Sequence, residues 1–128
     1  MKIEVSNGEV IDKITILEIK LEKITAHEKL QNIRKEYNML TFLLPELGIE
    51  KSHPLYKDLK NINLELWDIE DRLRIKEKRQ EFDDEFIKLA RSVYFKNDRR
   101  AEIKKEINRL SNSLLTEEKE YVDYKNNT

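Results

Sequence analysis

The sequence predicts an all-α fold: an elongated antiparallel helical bundle of about four to five helices with coiled-coil-like hairpins. Three observations carry this expectation. Apolar residues recur at spacings of three and four through most of the chain. Only two glycines and two prolines interrupt 128 residues, so the elements should be long. Charged residues make up 40% of the chain and hydrophobic ones 38%, a balance that suits narrow seams between solvated helices better than a thick core.

The elements follow in chain order. Residues 1–7 form a short lead, extended from Lys2 to Val5. Ser6 and Glu9 make a capping box, so a helix should begin near Gly8. Val10, Ile14, Leu17, Leu21 and Ile24 mark its seam. Ile11, Ile16 and Ile19 widen the apolar face, so this helix should touch more than one neighbour. Thr25 and Glu28 repeat the capping pattern where the seam changes phase, which predicts a break near residue 25. A second helix carries Leu30, Ile33, Tyr37 and Leu40 and should run to about Leu44, stopped by Pro45 and Gly48.

Pro54 in a first turn opens the third helix. Leu55, Leu59, Ile62, Leu66, Ile69 and Leu73 keep a 4-3 rhythm, and a helix reaching Arg79 would be roughly 40 Å long at about 1.5 Å per residue. Residues 72–79 are mostly basic and 81–85 mostly acidic, as the ends of two successive helix dipoles favour. The fourth helix carries Phe82, Phe86, Leu89 and Val93. Its phase continues through Ile103, Ile107, Leu110 and Leu114, so it either runs on or kinks near Asn97, where Asn97 or Asp98 would cap a new helix. Thr116 can start a short last helix, and residues 126–128 should fray. Residues 1–128 read as one domain.

Several functions are disfavoured. No cysteine is present, which excludes disulfides, thiol nucleophiles and Cys-based metal sites. A net charge of −1 lacks the basic footprint of a nucleic-acid binder. No apolar leader or stretch of about 18 apolar residues occurs, so a cytoplasmic protein without a membrane span is expected. Phosphate loops and nucleophile elbows are missing. His27 and His53 sit near helix ends without ligand spacing. No catalytic residue, metal or cofactor is assigned.

Three polar stripes are candidates for function. Arg91, Tyr94, Asn97, Arg100 and Lys104 cluster where the seam of the fourth helix turns polar. Arg100 can hold a carboxylate or phosphate bidentately and Lys104 can add a point charge. The same groups can instead form an ion-pair network that sets helix register. Trp67, Asp71 and Arg74, with Glu70 and Glu77, form a stripe off the main seam of the third helix. There Trp67 packs on another helix or subunit, or lines a pocket, and the acids most simply pair with Arg74. Asp12, Lys13, Ile16 and Lys20 flank the first seam, where lysines usually solvate a coiled coil.

Three stretches, SNGEVIDKITILEIKLEKI (6–24), LWDIEDRLRIKE (66–77) and FDDEFIKLARSVYFKNDRRAEIKKEIN (82–108), resemble an uncharacterised family of small helical bacterial and phage-associated proteins. Members tend to be encoded near glycosyltransferase and surface-polysaccharide genes. The resemblance implies that setting but no activity. It draws attention to Ser6, Gly8, Glu9, Asp12, Lys13 and Lys20; to Trp67, Asp71, Arg74 and Glu77; and to Arg91, Tyr94, Asn97, Asp98, Arg100, Lys104 and Asn108.

Two functions compete. One is a non-catalytic binding or assembly module, a homo-oligomer with a dimer favoured, whose polar centre is a candidate site for an anionic ligand. The other is a small helical enzyme acting on an anionic metabolite, a sugar nucleotide or a carboxylated ring compound. It is chorismate-mutase-like or nucleotide-pyrophosphatase-like by analogy alone.

Overall fold

The structure, a computed structural model, describes residues 1–111 and Tyr124. They form an all-helical bundle of five helices: α1 (Asn7–Lys23), α2 (His27–Thr41), α3 (Leu44–Leu47), α4 (Pro54–Arg79) and α5 (Asp84–Leu110). The expected last helix from Thr116 and the fraying of residues 126–128 lie outside the described residues.

Helix α1 is the hub. The Ser6 hydroxyl accepts from the Glu9 backbone N–H at 3.2 Å, which completes one half of the capping box. Ile11, Ile14, Leu17 and Ile19 are essentially without solvent contact, because α2, α4 and α5 all pack on this one helix. The widened apolar face therefore has a neighbour on each side. The core joins Ile11 and Ile14 to Leu44, Ile49, Tyr56, Leu59, Ile62, Ile103 and Ile107.

The break near residue 25 is present, but Thr25 does not cap α2. Ala26 holds the cap position without a side-chain hydrogen bond. Helix α2 then ends at Thr41, earlier than expected, and Pro45 lies in the first turn of α3 instead of stopping α2. A proline in a first turn forgoes only an N–H that would have no partner there. Gly48 ends α3 at φ 73°, a left-handed conformation that suits glycine.

His53 caps α4 by accepting from the Leu55 N–H at 3.0 Å. Asp83 caps α5 by accepting from the Phe86 N–H at 2.9 Å, which leaves Phe82 in the link before the helix. Helix α5 continues through Asn97 without a second start. Helices α4 and α5 run antiparallel, as the pairs Arg72–Glu85 and Lys96–Glu65 show. At about 1.5 Å per residue each is roughly 40 Å long, while α1 spans about 25 Å.

That mismatch shapes the molecule. The buried apolar residues of α4 end at Leu66, and Leu89 is the buried one on α5 before Ile103. The far half of the hairpin is therefore an arm of two helices among the described residues. Lys76 ties its turn together, with its ammonium 3.0 Å from Asp83 and 3.4 Å from Glu85. The Phe86 N–H and Lys76 hold the Asp83 carboxyl below its ordinary range.

Helices α1 and α5 approach most closely at Gly8. A Cβ there would lie 2.5 Å from the Lys104 carbonyl oxygen and 3.0 Å from Asn108 Oδ1. Gly8→Ala should therefore cost about 2–3 kcal/mol, the usual scale of overpacking against backbone. Denaturant unfolding at an unchanged midpoint would show that the two helices are not this close.

Candidate functional site

The polar interruption of the α5 seam meets the start of α1. Asp12 is 2% exposed, and water cannot carry its charge. Arg100 donates to both of its oxygens, from Nε at 2.8 Å and from Nη2 at 2.5 Å. Asn63 of α4 donates to Asp12 Oδ1 and to Thr15 Oγ at 3.0 Å each. One turn earlier, Glu9 pairs with the buried Lys104 ammonium at 2.8 Å. The Asn108 carboxamide oxygen accepts from the Gly8 N–H at 2.7 Å, and Asn7 donates to the Ser111 hydroxyl at 2.9 Å. Asn108 Nδ2 is buried without a hydrogen-bond partner among the described residues.

A bidentate arginine on a buried carboxylate, braced by an amide, is a register lock. It holds α1 at one depth and one rotation against α4 and α5. Arg100 serves an internal carboxylate here, in the geometry that would suit an external one.

A second cluster surrounds Glu18 of α1. Tyr56 donates a short hydrogen bond to it and Lys60 donates at 2.9 Å. The Tyr37 hydroxyl lies at 3.5 Å and Lys51 at 4.0 Å. Burial pushes the Glu18 carboxyl up, but the Tyr56 and Lys60 hydrogen bonds and the charges of Lys60 and Lys51 outweigh it. The carboxyl is held below its ordinary 4.5. Burial and the Glu18 charge together push the Tyr56 hydroxyl up. Lys60 is held above its ordinary 10.5, because hydrogen bonds and charge from Glu22 and Glu18 exceed its burial penalty. A general base wants a raised carboxyl and a nucleophilic lysine a lowered amine. These shifts run the opposite way, so the cluster fastens α2, α4 and the Lys51 loop to α1.

A third feature lies on the outer side of α5. Arg91, Tyr94, Phe95 and Tyr124 line a recess of about 240 Å³. Tyr124 packs edge-on to Phe95 with ring centroids 5.1 Å apart, and its hydroxyl donates to Asp98 at 2.7 Å.

The sequence candidates are thus distributed over several places. Arg100 and Lys104 join Asp12, Glu9 and Asn108 in the register lock. Arg91 and Tyr94 line the aromatic recess. Asn97 is half-buried on α5 between these two groups. Lys13 turns away from α5 and pairs with Glu36 of α2 at 3.3 Å, so Asp12 and Glu9 are the residues that α1 presents to the polar interruption. Trp67 is half-buried on α4 and Arg74 exposed. No ion pair forms between Arg74 and Glu70, Asp71 or Glu77, although i,i+3 pairs form elsewhere, at Arg99–Glu102 and Arg109–Glu106. Asn63, Glu18, Tyr56 and Lys60 were not among the candidates. Their signal is a polar stripe along α4, where Tyr56, Lys60 and Asn63 share one face at helical spacing. Among the described residues, no three His, Asp or Glu side chains are grouped to hold a metal. Nor is any helix there long and apolar enough to cross a membrane.

The model of a family of unknown function, DUF6165, matches residues 1–126. The chain belongs to that family. No curated protein and no solved structure matches it. Gly8, Glu9 and Asp12 of this DUF6165 chain meet Asn108, Lys104 and Arg100 in one network, which joins two of the stretches that carried the resemblance.

Two outcomes follow from these clusters. Arg100→Ala leaves Asp12 buried without its counter-ion and should cost about 2–3 kcal/mol, reduced from the fully buried case because Arg100 is partly solvated. Lys104→Ala should cost less, because Glu9 is half-exposed and can hydrate; chemical denaturation of both variants ranks them. The lowered Glu18 carboxyl contributes stability above its ordinary 4.5, and that contribution is lost as pH falls through the folded value. Unfolding free energy measured from pH 6 to about pH 3 should therefore drop below about 4.5. Glu18→Gln should flatten that drop, and an unaltered profile would remove Glu18 from the account of acid stability.

Proposed function

We propose that this chain is a non-catalytic helical assembly module that acts as a homodimer in the cytoplasm. Its setting is surface-polysaccharide biosynthesis, as the resemblance of its three stretches implies. The observation that supports assembly is the two-helix arm. Ile75, Phe82, Ile87, Tyr94 and Phe95 are all at least 45% exposed there, on a hairpin with little apolar burial of its own. An antiparallel helix pair with bare apolar residues gains stability when another surface covers them. The internal pairing of Arg100 and Lys104 also favours a structural use of the polar centre. Sedimentation at micromolar concentration should give a dimer, and a strict monomer would overturn the reading.

The aromatic recess favours a second reading, a site for an anionic metabolite such as a sugar nucleotide or a carboxylated ring compound. Its three rings offer stacking and Arg91 a charge for the anion. A ligand at about 100 times its Kd stabilises by about 2.7 kcal/mol. A thermal-shift screen with nucleotide sugars, inorganic phosphate and dicarboxylates should raise Tm under this reading, and Arg91→Ala should abolish the rise. The assembly reading expects no shift with any of them.

A further inference from the structure

One face of α4 is covered for half its length. Tyr56, Lys60 and Asn63 lie on it and all bond to α1. Helix α1 ends beside this face, where Lys23 pairs with Asp68 at 3.6 Å. The same face continues at helical spacing as Trp67, Asp71, Arg74 and Lys78. Beyond Trp67, which is half-buried, no helix covers this continuation among the described residues. Asp71, Arg74 and Lys78 are exposed, and none of the three has an ion-pair partner among the described residues.

The order of these residues matters. Along α4 the stripe reads aromatic, acid, arginine, lysine. Asp71 and Arg74 lie symmetrically about the midpoint between Arg72 and Leu73, and so do Trp67 and Lys78. A helix with that pattern is complementary to itself when turned end for end. About a two-fold axis at the midpoint, Asp71 of one copy meets Arg74 of the other, twice over, and Lys78 reaches the indole face of Trp67, twice over. These are an ion pair and a cation–π contact, each duplicated by symmetry, as an isologous interface requires.

We infer that the open half of this α4 face is where a second copy of the chain docks, with the two α4 helices antiparallel and Asp71–Arg74 and Trp67–Lys78 contacts across the two-fold axis. The inference rests on the dimer of the assembly reading above and seats it on a polar stripe of α4, apart from the bare apolar residues named there. The second copy continues the cover that α1 provides over Tyr56, Lys60 and Asn63. The shortness of α1 relative to α4 then has a use, because it leaves room for the partner.

The test is charge exchange in the full chain, read by sedimentation equilibrium at two salt concentrations. Asp71→Arg places two arginines opposite each other, and Arg74→Asp places two aspartates opposite each other. Each single variant should weaken the dimer at least about tenfold, since facing like charges cost upward of about 1.4 kcal/mol. Both positions are exposed, so helix content should stay near wild type. Mixing the two single variants should restore a dimer that contains one copy of each. The double variant Asp71→Arg/Arg74→Asp should dimerise alone, to within a few-fold of wild type. High salt should weaken the wild-type dimer. A wild-type monomer would overturn both the assembly reading and this interface. A wild-type dimer that both single variants leave intact would overturn this interface alone. Loss of the dimer in the single variants without recovery in the mixture or the double variant would also overturn the proposed pairing.

Discussion

A carboxylate shut away from water must meet a cation or lose its charge, and Asp12 meets Arg100, 88 residues away in sequence. Most of the arrangement depends on that contact. The fork of the guanidinium accepts one orientation of the carboxylate, so α1 has one rotation and one depth against α5. That depth brings Gly8 onto the Lys104 carbonyl, where only hydrogen fits. It also sets Asn63 against Asp12 and Thr15, which draws α4 into the same lock. Helix α5 has to stay continuous past Asn97, because a kink there would carry Arg100 off the phase that reaches Asp12.

The lock lies at the base of the α4–α5 hairpin, and so does the core. Ile11, Ile14, Tyr56, Leu59, Ile62, Ile103 and Ile107 pack around the same level that Asp12 and Arg100 define. Burial thins beyond Leu66, and ion pairs at the turn hold the far half together. Stability and availability are thereby separated along one hairpin. The base supplies a rigid support, while the arm leaves aromatic and charged groups exposed. A polar centre that is internally paired adds specificity of register more than net energy.

Much of the helix plan was legible in residue spacing, for simple reasons. The 4-3 rhythm from Leu55 to Leu73 can only be a helix seam, and Ser6 with Glu9 marks a start that local hydrogen bonding decides. The end of α2 was less legible. Thr25 and Pro45 both carry strong local signals, yet a cap residue without its hydrogen bond and a proline tolerated in a first turn read alike in sequence. The polar stripe of α5 was visible as a cluster, but its partner was not. Lys13 and Asp12 are neighbours in the chain, and only the rotation of α1 decides which of them faces α5. The Glu18 cluster was legible only in its α4 stripe of Tyr56 and Lys60: its other members come from α1, α2 and a loop, so no window of sequence contains the whole of it. The missing Asp71–Arg74 pair is a different lesson. Spacing allows an i,i+3 ion pair, but water competes well for exposed charges.

The dependence of the fold on one buried ion pair is tested most directly by a double-mutant cycle. Asp12→Asn, Arg100→Gln and the double variant keep the shapes and remove the charges one at a time. Contacting residues in one network couple by about 0.5–3 kcal/mol. Unfolding free energies should give a coupling near the upper part of that range, about 2 kcal/mol, with the double variant more stable than the two single costs would sum to. A coupling within about 0.5 kcal/mol of zero would mean that Asp12 and Arg100 do not depend on each other, and that something else sets the register of α1.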